Sequence, residues 1–190
     1  MVSINNGVTP HPDPQKDNRF FIDRNMTFEP FPQLALPEDT DEKREAWNIA
    51  SILGKAIQYI DPRVKTHKPC NDYFSKLPNG RTFAQIWDDK DVWINYSSTN
   101  TADWGFTRDP KDVVICKQTF AKGYLFVAAT IVHELAHVGG APGKAASPPS
   151  NAAEAALKHC LLAQMFDPDV FGVLDDFPNG PGGGDDTAIA

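Results

Sequence analysis

The chain has 190 residues, of which 41% are hydrophobic and 23% are charged. This length and composition suit one globular domain with a sizeable core and exclude a disordered or fibrous protein. The 18 Lys and Arg against 25 Asp and Glu give a net charge of −7, so the chain lacks the positive field that attracts nucleic acids and anionic lipids. We therefore expect neither a nucleic-acid partner nor a membrane partner.

No segment predicts membrane insertion or secretion. The longest apolar-to-small run, Tyr124 to Val132, is far shorter than the roughly 18 residues that a membrane-spanning helix needs. The beginning of the chain has no basic region followed by an apolar core, which a secretory signal peptide would have. The sequence therefore leaves three alternatives open: the protein is cytoplasmic, it is exported by a signal-independent route, or it is already processed.

Three cysteines, Cys70, Cys116 and Cys160, are spread along the chain without a Cys-x-x-Cys motif. They are too few for a disulfide scaffold or a four-thiolate zinc site. One disulfide plus a free thiol and three packed thiols are both consistent with this spacing.

Composition divides the chain into three parts. Residues 1–37 hold six of the sixteen prolines and predict an extended Pro-rich arm without regular structure, because proline removes a backbone donor. Residues 38–170 form the predicted domain. Residues 171–190 form an acidic, Gly-rich tail, which is composed like a flexible segment. The arm and the tail both suit docking on a partner.

The domain is predicted to begin with an amphipathic helix of about twenty residues. A capping-box pattern at Asp39 and Glu42 opens this helix, apolar residues recur at helical spacing from Trp47 to Ile60, and Asp61-Pro62 is expected to end it. The short segment from Thr82 to Trp87 fits either a helix or a strand.

Two segments rich in β-branched and aromatic residues predict strands, at Val92–Tyr96 and Val113–Cys116. A turn region containing Gly105 and Asp109-Pro110 separates them, and we expect the two strands to pair antiparallel.

A helix from about Phe120 to Val138 is apolar nearly all round, so it is predicted to be buried in the middle of the domain. A final helix is predicted from about Asn151 to Phe166. Together the elements predict an α+β fold, mainly helical, with a small antiparallel sheet beside the buried helix.

The buried helix carries the pattern His-Glu-x-x-His at residues 133–137. Residues four positions apart on a helix differ by about 40° in direction, so the rings of His133 and His137 suit two imidazole ligands of one tetrahedral Zn²⁺. Glu134 lies beside them and fits a general base that activates water for peptide hydrolysis. A surface helix is the alternative, but the apolar turns from Leu125 to Val132 favour burial, and buried polar groups need compensation such as a metal ion.

The motif resembles that of the zincin metallopeptidases, a resemblance that implies a zinc peptidase with His133 and His137 as metal ligands. Metzincins have a third histidine where this chain has Gly143. Gluzincins take a glutamate from a following helix, and the first acidic residue after His137 is Glu154. The resemblance therefore makes Glu154 the candidate third ligand.

Glu154 has two interpretations. On the helical wheel it shares a stripe with Leu157 and Leu161, so its side chain is expected to point into the core, as a metal ligand would. It also fits a capping box with Asn151. We favour the metal ligand; His159 is a weaker candidate because it lies well off the Glu154 face.

A second resemblance, over residues 47–160, is to the deuterolysin-like aspzincins, which include the lysine-specific metalloendopeptidases. The matching pieces are Tyr73-Phe74, Ile115–Phe120 and Asn151–Glu154. Aspzincins take their third ligand from an Asp in a Gly-Thr-x-Asp loop, whereas this chain has Ala141–Lys144 after its second histidine. An aspzincin-like fold thus implies either that Glu154 replaces this ligand or that the site is incomplete, and it permits a bridge between Cys116 and Cys160.

These observations predict a zinc metalloendopeptidase that acts on a protein or peptide substrate. An exported effector or toxin peptidase would use the same chemistry. The rival is a non-catalytic interaction or structural protein on a degenerate zincin scaffold, such as a secretion-system or phage-particle component. The missing aspzincin loop, the arm and the tail support this rival, and the retained Glu134 opposes it. By analogy with zincins, the strand expected to hold the substrate by backbone pairing is Val92–Tyr96 or Val113–Cys116.

Overall fold

The computed structural model describes residues 1–5, 41–97, 103–143 and 151–165, and has an α+β fold with a small mixed sheet. The elements in chain order are β1 (Ser3–Ile4), α1 (Asp41–Tyr59), α2 (Lys68–Phe74), α3 (Phe83–Trp87), β2 (Trp93–Ser97), β3 (Gly105–Asp109), β4 (Asp112–Cys116), α4 (Lys117–Phe120), α5 (Tyr124–Val138) and α6 (Ala152–His159). Most of the predicted arm, all of the predicted tail and Asp39 of the predicted capping box lie outside the described residues.

Helix α5 is the centre of the domain, as its apolar sequence predicts. Twelve of its residues are buried, and α1, α6, β3 and β4 all pack on it. The predicted start near Phe120 was wrong, because Gly123 with φ 92° separates the short helix α4 from α5. Residues with side chains rarely adopt this φ, so the glycine defines where the buried helix begins.

Helix α1 ends at Tyr59, just before Asp61-Pro62, close to the predicted end. A π-helical turn that the sequence did not predict, Ile60–Val64, follows it, and in this turn Lys65 N donates to Ile60 O at 3.0 Å. Hydrogen bonds in a π-helix span five residues instead of four, and Pro62 lies within this turn although proline lacks a backbone donor. The ambiguous segment from Thr82 is helix α3, capped by a reciprocal Thr82–Gln85 capping box.

The sheet has the strand order β1-β2-β4-β3. Strands β2 and β4 pair in parallel, so the predicted antiparallel pairing was wrong. The reason is β3, which occupies the predicted turn region, runs antiparallel to β4 and reverses the chain between the two predicted strands. Among the described strands, β3 forms one edge and β1 the other.

The first five residues belong to the sheet, although the sequence predicted no regular structure there. Ser3–Ile4 pairs in parallel with β2, and a buried polar network extends the contact across the sheet. Asn5 Nδ2 donates to Asn95 Oδ1 at 2.9 Å, and Asn95 Nδ2 donates to Asp112 Oδ1 at 3.1 Å. Buried amides and carboxylates that satisfy one another in this way fix the register of the strands they join.

Helix α6 ends at His159, before the predicted end at Phe166, and a 3₁₀ turn at Ala163–Met165 follows it. A disulfide between Cys70 and Cys160 joins α2 to the end of α6, and Cys116 is a buried free thiol. Cys116 therefore does not pair with Cys160, a bridge that the aspzincin resemblance permits without requiring it. None of the helices in the described ranges is long and apolar enough to cross a bilayer.

We predict that removing this disulfide strongly destabilises the domain. The bridge closes a loop of 90 residues, and the chain-entropy relation gives about 3–5 kcal/mol for a loop of this length. Urea denaturation of the Cys70→Ala/Cys160→Ala variant should show this loss, and reductant should lower the stability of the wild type but not of the variant. An unchanged unfolding free energy would contradict the prediction.

Candidate metal centre

Helix α5 presents His133 and His137 from one face, as their spacing predicts. His133 is 2% exposed, and His137 is partly buried. The two Nε2 atoms face each other at 3.3 Å, with the ring planes inclined by 73°. The buried helix thus brings two imidazole nitrogens to a common point.

The turn after α5 fixes the proton on His137. Gly140 adopts φ 94°, and the chain folds back so that Ala141 N donates to Ala136 O at 2.9 Å. The carbonyl of Ala141 then lies 3.0 Å from His137 Nδ1. Because a carbonyl only accepts, Nδ1 carries the proton and Nε2 of the neutral ring presents a lone pair.

His133 has a carboxylate beside its other nitrogen. Glu154 Oε1 lies 3.9 Å from His133 Nδ1, and both side chains are almost completely buried. An ionised carboxylate is an acceptor, so it favours the proton on Nδ1 and a lone pair on Nε2. The two Nε2 atoms lie 3.3 Å apart, a distance that fits an N–H···N hydrogen bond when one of them carries a proton and two ligands of one cation when neither does.

This pair of nitrogens fits zinc. Zn–N bonds of about 2.0–2.1 Å at the tetrahedral angle place two donor atoms about 3.3–3.4 Å apart, and the measured Nε2–Nε2 separation is 3.3 Å. Imidazole nitrogens whose Nδ1–H groups face oxygen acceptors are also the usual form of zinc-binding histidines.

Glu154 is buried between α5 and α6, as its place on the helical wheel predicts. It is 4% exposed, and the side chain of Asn151 makes no cap hydrogen bond, so one half of the alternative capping box is absent. The carboxylate of Glu154 lies beside Nδ1 of His133. Within the described ranges, no group of three His, Cys, Asp or Glu side chains converges closely enough to hold a metal ion.

Tyr73 holds α6 beside this site. Its hydroxyl donates to Ala152 O at 2.7 Å, and its ring stacks on His159 at 4.6 Å between centroids. Burial, and secondarily the negative charge of Glu154, raises the pKa of Tyr73, so the phenol stays protonated and keeps donating. His159 is exposed and occupied by this stacking, which leaves it a poor candidate for a metal ligand.

Glu134 is 4% exposed and contacts strand β3. The hydroxyl of Thr107 lies 2.9 Å from Glu134 Oε2 and 3.1 Å from the backbone O of Glu134. A Cβ at position 105 would lie 2.7 Å from Thr130 Cγ2 and 3.2 Å from Glu134 Oε1. Gly105 is therefore what lets the strand approach the helix closely enough to contact the carboxylate.

Sequence reasoning missed β3 and, with it, Thr107. Among the described residues, β4 is paired on both sides, with β2 and β3, so the expectation that it binds substrate was wrong. Strand β2 pairs with β4 along its length but with β1 only at Trp93 and Ile94, and its role in substrate binding stays a prediction. The available signal was Phe106-Thr107 just before Asp109-Pro110, which is typical of a strand entering a hairpin turn.

Comparison of the chain with protein-family models, curated proteins and solved structures finds no match.

We predict opposite effects of alanine at two glycines. Gly105→Ala should cost about 1–3 kcal/mol, because the new methyl group overlaps Thr130 and something must shift. Gly54→Ala is the control: no atom lies within 4 Å of its Cβ position in helix α1, so it should stabilise by about 0.5–1 kcal/mol. Urea denaturation measures both, and equal effects would contradict the close contact between β3 and α5.

Proposed function

We propose that this protein is a zinc-dependent metallopeptidase. The observation that carries the proposal is the 3.3 Å separation of the Nε2 atoms of His133 and His137 inside a buried helix. The buried Glu134 between them in sequence also supports it, since a purely structural metal site has no use for a base.

In this proposal His133 and His137 hold the metal through Nε2. Glu154 is the candidate third ligand from α6, and to bind the same metal its carboxylate must move from the Nδ1 side of His133 to Nε2. Zinc, when bound, supplies a Lewis acid that polarises a carbonyl and lowers the pKa of water toward neutrality. Glu134 acts as general base: its carboxylate takes a proton from the attacking water and then delivers it to the leaving amine. Its burial at 4% exposure keeps bulk water away from that carboxylate.

Strand β3 is the proposed substrate-binding strand. It lies at an edge of the described sheet, packs on α5 and contacts Glu134 through Thr107. An extended peptide added to this edge would pair with backbone groups of β3 next to the general base. The disulfide between Cys70 and Cys160 favours a protein that works in an oxidising compartment, as an exported effector or toxin would.

A non-catalytic protein on a degenerate zincin scaffold is the second candidate. The position of Glu154 favours it, because the carboxylate accompanies Nδ1 of His133 without joining both histidines in a three-residue group. Such a protein would retain a metal or a polar core without hydrolysing peptides, and a secretion-system or phage-particle component is one form it would take.

For the metal and the base, we expect elemental analysis of the purified protein to find one zinc per chain. His133→Ala should lose this zinc, because one imidazole nitrogen is removed. Glu134→Gln should keep it and lower the hydrolysis rate of a peptide library at least about 100-fold, which is the usual contribution of a general base. A chelator should abolish wild-type hydrolysis. Wild-type protein without zinc, or a Glu134→Gln variant with undiminished activity, would refute the proposal.

A separate prediction concerns Glu154. Loss of a carboxylate that only orients a metal-binding histidine weakens metal binding by about 10–100-fold. If Glu154 is itself a ligand, Glu154→Ala should weaken zinc binding by more than this. A helix cap would instead cost about 1 kcal/mol of stability and leave the zinc affinity unchanged. Competition with a chromogenic chelator measures the affinity. Glu45→Ala is the matched control, because Glu45 is exposed and pairs with Lys117 on the surface.

A further inference from the structure

The hydroxyl of Thr107 lies between two acceptors of the same residue. Thr107 Oγ1 is 2.9 Å from Glu134 Oε2 and 3.1 Å from Glu134 O. A threonine hydroxyl has one proton and two lone pairs, so it donates to one of these oxygens at a time. With Glu134 ionised, the proton goes to the carboxylate, because a hydrogen bond to a charged acceptor is the stronger one.

The one hydroxyl lies within hydrogen-bond distance of both the carboxylate and the backbone O of Glu134. Thr107 therefore contacts the Glu134 side chain at a fixed position relative to the backbone of helix α5.

The backbone of Thr107 faces the side of β3 on which no described strand pairs. Trp104 O accepts from Cys116 N at 2.9 Å, which makes these two residues a hydrogen-bonded antiparallel pair. Hydrogen-bonded and non-hydrogen-bonded pairs alternate along an antiparallel ladder. Gly105, opposite Ile115, is thus non-hydrogen-bonded, and its N–H and C=O groups point away from β4. The same holds for Thr107 opposite Val113, the last pair before the register shifts between Thr107 and Asp109.

Thr107 therefore has two relevant parts, its side chain and its backbone. Its side chain holds the carboxyl group of Glu134, and its backbone lies where an extended peptide would pair with the sheet edge. We infer that Thr107 is a positioning residue that orients Glu134 and links the placement of a peptide on β3 to the orientation of the base. This inference rests on the proposed function, in which Glu134 is the general base.

Kinetics of Thr107→Val test the positioning role, because valine keeps the shape of threonine and removes only the hydroxyl group. We expect kcat to fall by about 10–100-fold, the scale of a misplaced reacting group, with KM and zinc affinity unchanged. Thr107→Ser should restore most of kcat. Thr66→Val is the matched control, since Thr66 Oγ1 donates to Pro62 O at 2.9 Å on an exposed turn, and it should leave kcat unchanged. Wild-type kcat in Thr107→Val, or equal defects in the Val and Ser variants, would overturn the inference.

Thermal unfolding of the zinc-free protein gives a readout that does not depend on activity. Thr107→Val should lower Tm by about 4–8 °C when Glu134 is present, and by less than about 2 °C in a Glu134→Ala background. Equal shifts in both backgrounds would mean that Thr107 only holds the backbone, and would overturn the inference. Absence of zinc-dependent hydrolysis in the wild type would refute the proposed function. The comparison of Tm shifts with and without Glu134 would still decide whether Thr107 holds the Glu134 side chain.

Discussion

Burial of helix α5 is the constraint on which the rest of the domain depends. Its histidines and its glutamate lie in the core or at its margin, where an uncompensated polar group costs several kcal/mol. Each therefore meets a partner from a different element: the turn after α5 gives His137 the Ala141 carbonyl, β3 gives Glu134 the Thr107 hydroxyl, and α6 sets Glu154 beside His133. These contacts leave the two Nε2 atoms 3.3 Å apart, the separation on which the proposed metal site rests.

Covalent and steric restraints hold the neighbours of α5 in place. On one side, the disulfide between Cys70 and Cys160 and the hydrogen bond from Tyr73 to Ala152 fasten α6 to α2. On the other side, the absence of a side chain at Gly105 lets β3 contact α5 closely. The proposed general base and metal site would need their groups fixed before a substrate arrives, and these restraints fix the neighbours of α5 on both sides of the helix.

The features that sequence predicted are those that depend on local spacing. The burial of α5, the shared face of His133 and His137 and the inward direction of Glu154 all follow from helical periodicity, and the structure confirms each of them. The features that were missed depend on tertiary contacts. Gly105 and Asp109-Pro110 are typical of turns, so β3 went unnoticed, and without it the parallel pairing of β2 with β4 was not predictable. The partner of Cys70 was equally out of reach, because spacing along the chain does not determine which thiols meet in space.

In the proposed metal site the Nε2 atoms of His133 and His137 hold one zinc ion. X-ray absorption at the zinc K-edge measures this, because outer-shell scattering from imidazole rings counts the histidine ligands of the bound metal. We expect two imidazole ligands with zinc–nitrogen distances of about 2.0–2.1 Å, and loss of this scattering in His137→Ala. A spectrum of oxygen ligands without imidazole scattering, or one that His137→Ala leaves unchanged, would contradict it.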